Sequence, residues 1–199
     1  MAIVNAPFGL RPYCDTNGRP YTGAYRTYYV PVGNATALYI GDPVTVITNS
    51  ADANGVPAIS IATAGAGNYI TGCVVGIANN SGLLTIPLLQ SSTVYLPAST
   101  AAYVAVADDP NLLFAIQENS SPSAFAAGAA SRNADLNAGS GGSTITAQSS
   151  WQLDSNTLNT TAKQMRIIQA LQETDNAIGN YCRWLVKINQ NTQVNTTGI

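Results

Sequence analysis

The chain reads as all-β, a jelly-roll-like sandwich or barrel, on three observations. Val104 and Val106 alternate with Tyr103, Ala105 and Ala107, and Leu112, Phe114 and Ile116 alternate with Leu113, Ala115 and Gln117. A period of two puts successive side chains on opposite faces of a strand. From residue 37 onward, turn-forming clusters interrupt apolar runs at near-regular spacing, as in sandwiches and barrels. Near the end, Cys182, Trp184, Val186 and Ile188 alternate with Arg183, Leu185 and Lys187.

Residues 1–30 are expected to form an extended arm, and residues 31–199 a single β-domain. Pro7, Pro12 and Pro20, with Gly9 and Gly18, punctuate the arm too heavily for helix or central strand. Ile3, Val4, Phe8, Leu10 and Tyr13 give it apolar anchors, for docking on a partner or on its own domain. Tyr21, Tyr25, Tyr28, Tyr29 and later Tyr39 make a tyrosine-rich stretch. Tyrosine joins apolar area to a polar tip and is enriched where surfaces meet, although an edge strand within one domain has the same composition.

The runs LYIGDPVTVI, VPAISIATA and YITGCVVGIA then read as strands separated by NSADANG and GAG, with Gly72 and Gly76 marking bulges or tight curvature. After a break at residues 79–82, residues 83–96 alternate loosely. About eight strands are expected in all. Asp108-Asp109-Pro110-Asn111 separates the two clearest strands; proline presets a turn dihedral, and Asp and Asn bond to nearby backbone, so a β-hairpin with one oily face is expected. Residues 119–150, rich in Ser, Ala and Gly, are expected to be a flexible insertion in which Ser123 could cap a helical turn over residues 124–130. In residues 163–172, Met165, Ile167 and Gln169 alternate with Arg166 and Ile168, which predicts a strand paired with the one holding Trp184. A helix is the alternative there, because Ala, Lys, Gln, Met and Leu favour one.

Only 9% of the 199 residues are charged, against roughly 25% in ordinary proteins, while 46% are apolar. Solubility then rests on Asn, Thr, Ser and Gln, and much of the surface suits contact with other protein. Residues 1–30 carry a net +2, residues 31–162 a net −6 and residues 163–199 a net +2. Arg11, Arg19, Arg26, Arg183 and Lys187 are expected to face an acidic partner and the acidic middle to face solvent, unless the arginines are solvated or paired within the domain. A net charge of −2 without a Lys/Arg cluster is unlike a nucleic-acid binder, which needs several cations to displace phosphate counterions. No apolar stretch of about 18 residues predicts a membrane span. The opening MAIVNAPFGLRP lacks the basic leader and apolar run of a secretory signal.

Chemistry is hard to place. The chain has no histidine, which removes the usual general base and the commonest metal ligand. Cys14, Cys73 and Cys182 have neither metal-knuckle nor CxxC spacing and read as reduced small hydrophobes. Asp108-Asp109 is better explained by the turn than by catalysis or Ca²⁺, and Asp52-Ala53-Asn54-Gly55 is only a fragment of a calcium loop. The expectation is a protein that is not an enzyme and takes no cofactor or metal.

Several phrases together resemble the structural cement, or head decoration, proteins of tailed bacteriophages. These are NAPFGLRP, GDPVTV, ITGCVVGI, YLPASTAAYVAVADDPNLLFAIQE, and SWQLDSNTLNTTAKQMRIIQALQETDNAIGNYCRWLVKINQN. They span most of the chain, most loosely at residues 119–150, and include no catalytic signature. The resemblance implies a jelly-roll-like domain, made in the host cytoplasm, that oligomerises as a dimer or trimer on the outside of the head. There it binds major capsid protein and locks the expanded shell. Phe8, Leu10, Arg11, Tyr13, Arg19, Tyr21, Tyr25, Arg26, Tyr28 and Tyr29 are the expected contact residues. A tail or fibre subunit or a carbohydrate-binding β-module is the alternative, followed by the shell subunit itself and, last, a hydrolase.

Overall fold

The computed structural model describes residues 3–78 and 95–194, so the expected break at residues 79–82 and most of the loosely alternating run after it lie outside the described residues. The fold is all-β. Its strands are β1 (Arg11–Asp15), β2 (Arg26–Val30), β3 (Pro43–Ala51), β4 (Pro57–Ile61), β5 (Gly72–Ala78), β6 (Ala102–Ala107), β7 (Leu112–Gln117), β8 (Asn133–Ala134), β9 (Leu136–Asn137), β10 (Gln152–Leu153), β11 (Met165–Ala170) and β12 (Arg183–Ile188). β2, β4, β3, β5 and β6 close into a barrel; β1, β7, β12, β11 and β8 form an open sheet beside it; β9 and β10 pair separately.

The expected hairpin does not form. Its two strands are where the alternation puts them, and the turn is made as expected: Asn111 N donates to Asp109 Oδ1 at 2.8 Å and Leu112 N to Asp109 O at 3.0 Å. But β6 pairs with β2 and β5, while β7 pairs with β1 and β12. Every residue of both strands is buried, so neither has an oily face and a wet one. A strand covered on both faces and both edges needs more neighbours than a hairpin partner supplies. The four-residue turn instead carries the chain from barrel to sheet.

Two cores result. Val30, Leu38, Val44, Ile59, Val74, Ile77, Val104 and Val106 fill the barrel. A larger core lies between barrel and sheet, where Cys73 and Ala107 meet Phe114, Ile116, Met165, Ile167, Trp184 and Val186. Phe125 packs edge-on against Trp184, with ring centroids 5.8 Å apart. The sheet's outer face holds a smaller cluster of Leu113, Ala115, Leu171 and Leu185, against which Phe8, Cys14 and Ile168 pack.

Bulges adjust the pattern. In β5 the register shifts between Val74 and Gly76, so Val75 is the extra residue and packs against the larger core. A Cβ at Gly72 would lie 2.2 Å from Ala107 O, so glycine lets β5 close on β6 there. Residues 163–172 contain strand β11, not a helix, paired with β12 as expected. A bulge at Ile168 turns Ala170 inward in place of Gln169, which is exposed.

The arm and the insertion are both built into the fold. β1 is an edge strand on β7, and β2 is a barrel stave between β6 and β4. In the insertion, Phe125, Ala129, Ala134 and Leu136 are buried. Its helical turn is a short 3₁₀ segment, Ala127–Ala129, with no side-chain cap.

Polar side chains tie barrel to sheet. Gln164 is fully buried: its Nε2 donates to Thr63 O (2.8 Å) and Asn68 O (3.2 Å), and its Oε1 accepts from Gly65 N (2.8 Å) and Leu136 N (3.2 Å). Residues after β12 cross to the barrel, where Ile70 N donates to Gln190 O at 2.7 Å and Gln193 Nε2 to Tyr28 OH at 3.2 Å. Gly9 and Gly41, at φ +71° and +92°, touch closely enough that a Cβ on Gly9 would sit 2.3 Å from Gly41 O.

Replacing Gln164 with Leu leaves those four backbone groups without their partner and is expected to cost about 2–4 kcal/mol in urea unfolding. Phe114→Ala, which opens a cavity in the larger core, should cost about 3–5 kcal/mol. A loss under about 1 kcal/mol for Gln164→Leu would mean that the amide is replaceable as a joint.

Candidate functional site

The sheet's outer face is where the N-terminal residues come to rest. Residues 3–9 cross it without a strand ladder, held by side-chain amides. Ala6 N donates to Gln117 Oε1 (2.9 Å), Gln117 Nε2 to Val4 O (3.0 Å) and Gln152 Nε2 to Asn5 Oδ1 (3.0 Å). Phe8 seals the small cluster below. What remains is an open groove of about 510 Å³, lined by Ile3, Val4, Phe8 and Tyr13 among others and bordered by Glu173, Asp175 and Arg183. Val4 is 75% exposed and Tyr13, the extra residue of the β1 bulge, 48% exposed.

The expected contact residues divide. Phe8, Arg11 and Tyr13 line the groove. Leu10 is buried in the larger core, and Tyr28 is inside the barrel, its hydroxyl donating to Asp108 Oδ2 at 2.7 Å. Burial and the neighbouring Asp108 push the Tyr28 phenol up. Tyr29 is half-buried against Tyr103. Arg19 and Tyr21 line a separate cleft with Asp15 and Asp109, and Tyr25 and Arg26 are exposed. The tyrosine-rich stretch is thus a barrel stave and its approach rather than a continuous outward belt.

The charge layout also differs from expectation. Arg19 Nε lies 2.7 Å from Asp15 Oδ2, and Arg26 Nη1 lies 3.4 Å from Asp108 Oδ2. Arg183 Nη2 contacts Glu173 Oε2 (3.0 Å) and Asp175 Oδ1 (2.6 Å). Arg11 stacks on the Phe8 ring, 4.7 Å from its centroid. Among the described residues, Lys187 makes no ion pair. Of the acids expected to face solvent, Asp42, Asp108, Glu118 and Asp135 are buried. Asp135 meets Lys163 Nζ at 2.9 Å, and Glu118 accepts from Phe125 N at 2.7 Å. With few charges in the chain, those present are used to pin backbone and neighbouring side chains.

Asp52 shows the same economy. Its Oδ1 accepts from Asn54 N and Val56 N, and its Oδ2 accepts from the Tyr103 hydroxyl, so it shapes a turn. Among the described residues, no three His, Cys, Asp or Glu gather as a metal site, and no helix is long and apolar enough to cross a membrane. Cys73 and Cys182 are buried, Cys14 partly so, and burial raises all three thiols.

Sequence reasoning missed Gln117 and Gln152, which order the N-terminal segment, and Glu173 and Asp175, which border its groove. A glutamine closing an otherwise apolar alternation was the available signal at Gln117. Compared with family models, curated proteins and solved structures, the chain matches none.

Asp42 gives a titration test. Burial pushes its carboxyl up to about 6, although Tyr39 N and the Ser149 hydroxyl donate to it. A folded value above the ordinary one of about 4 means that this group favours folding fully below pH about 4, and that the contribution is lost as pH rises through about 6. Glu118 shifts in the same direction; Asp15, Asp52 and Asp175, held low by hydrogen bonds, shift the opposite way and act below pH about 4. Relative to Asp42→Asn, the natural chain should therefore lose on the order of 1–3 kcal/mol between pH 4 and pH 7 in urea titrations. A difference independent of pH would remove Asp42 as the cause.

Proposed function

We propose that this chain is a virion structural protein, a cement or decoration subunit that binds the outside of a tailed-bacteriophage head and stabilises contacts between major capsid protein subunits. In this reading it acts by adhesion as a homo-oligomer, dimer or trimer, with no catalysis, cofactor, nucleic acid or membrane involved. It is made in the host cytoplasm and ends on the capsid exterior. The sequence phrases spanning most of the chain support it, as does an all-β body with very few charges.

The observation that carries the proposal structurally is the groove on the sheet's outer face. An N-terminal segment fixed by Gln117 and Gln152 presents Val4 outward beside Tyr13 of β1 at little further cost in ordering, and preorganised apolar and aromatic groups make efficient anchors. A specific contact buries on the order of 1,000 Å² or more, so the groove would be the centre of a larger patch. A subunit that binds only the mature lattice stabilises it by mass action, and many copies act together. The carbohydrate-binding alternative is disfavoured by the two tryptophans: Trp151 and Trp184 are both buried, leaving neither free to stack on a sugar ring.

Electron microscopy of particles with and without this chain tests the assignment. Added density on an unchanged lattice is expected, whereas loss of heads altogether would indicate a shell subunit. Within that experiment, Val4→Asp combined with Tyr13→Ser should leave unfolding stability within about 0.5 kcal/mol and lower occupancy on heads at least about tenfold. Full occupancy by the double variant would place the contact elsewhere.

A further inference from the structure

A buried carboxylate without a counter-cation is costly, and it is usually found paired. Asp108 and Asp135 follow that rule, with Arg26 and Lys163, whereas the buried Glu118 forms no ion pair among the described residues and is held by Phe125 N at 2.7 Å in a turn of its own chain segment. Asp42 is 2% exposed and, among the described residues, forms no ion pair. Its partners are neutral: Tyr39 N at 2.8 Å and the Ser149 hydroxyl.

Asp42 also lines a cavity of about 360 Å³, within the range of small-ligand sites. Tyr39, Trp151, Ile61 and Ala62 contribute apolar walls, and Thr36 and Thr63 contribute hydroxyls. The cavity is not a by-product of a loose loop. Gly139 and Gly141 line it from a segment clamped at its far end, where Ile40 N donates to Ala147 O (2.8 Å) and Ser149 N to Ile40 O (2.9 Å). A Cβ on Gly142 would lie 2.2 Å from the Tyr39 ring, and that ring also stacks on Tyr95 with centroids 5.2 Å apart. These two contacts hold the Tyr39 ring in place at the edge of the cavity.

We propose that this cavity binds a primary alkylammonium group, with Asp42 as the counter-ion and the apolar walls holding the aliphatic stem. Such a group is carried by a lysine side chain of a partner protein or by a free polyamine. The site does not depend on the phage-head reading, because its chemistry is set by one unpaired carboxylate beside an apolar cavity.

Titration of the full chain with n-butylammonium at constant ionic strength, followed by amide NMR shifts at Gly139 and Gly141, tests it. Saturable shifts are expected, absent with n-butanol, and at least about tenfold weaker in Asp42→Asn, which keeps an acceptor for Tyr39 N. Ala138→Leu, at an exposed rim position, should weaken the shifts by obstructing the cavity mouth and serves if Asp42→Asn does not fold. Tighter binding of Nα-acetyl-lysine methylamide than of 1,4-diaminobutane assigns the cation to a partner protein, and the reverse order to a free polyamine. No saturation, equal shifts with n-butanol, or undiminished binding in both variants overturns the proposal.

Discussion

Strands β6 and β7 contribute twelve successive strand positions, all buried, on either side of one short turn. Apolar backbone ribbon of that kind must be covered on both faces and paired on both edges, and a chain of this size can do so only by closing two layers around it. The barrel satisfies β6, enclosing Val104 and Val106 and turning Ala107 toward the sheet. The sheet satisfies β7, with Phe114 and Ile116 inside and Leu113 and Ala115 outside. The central core is shared between them, which is why Gln164 and the residues after β12 cross from one layer to the other.

The same constraint positions the groove on the sheet's outer face. Leu113, Ala115 and Leu185 on the outer face still need cover, and Phe8 with the N-terminal segment supplies part of it. Gln117, the last residue of β7, turns its amide to that segment and fixes its path. The segment therefore belongs to the folding of the sheet and, at the same time, carries exposed Val4 beside exposed Tyr13. A surface built in this way is held in place by hydrogen bonds before any partner arrives, which suits the proposed adhesion.

Scarcity of charge has a second effect. Most ionised groups are engaged inside the molecule: Asp108 closes on Tyr28 and Arg26 beside the turn between layers, Asp135 on Lys163, and Arg183 on Glu173 and Asp175. The exterior therefore carries few charges free of a partner among many amides and hydroxyls, a surface that repels neighbouring protein weakly. Against that background Asp42 and Glu118, both buried and without an ion pair among the described residues, are the exceptions, and Asp42 is the one that lines the cavity beside Tyr39 and Trp151.

Local alternation was enough to determine the all-β class, the strands holding Val104, Phe114, Ile167 and Trp184, the Asp109 turn and the curvature at Gly72 and Gly76, because a period of two and turn chemistry act between near neighbours in the chain. Pairing was decided only in three dimensions. Nothing within residues 102–117 distinguishes a hairpin from a crossing between layers, since partners for β6 and β7 come from β1, β2, β5 and β12, far away in sequence. For the same reason the arm's apolar anchors were legible as anchors, but not which of them, Leu10 or Val4, would face inward. The fate of each charge was likewise settled by tertiary contacts: carboxylates at Asp42 and Asp108 look alike in sequence, and only the fold brings a cation to one and an open cavity to the other.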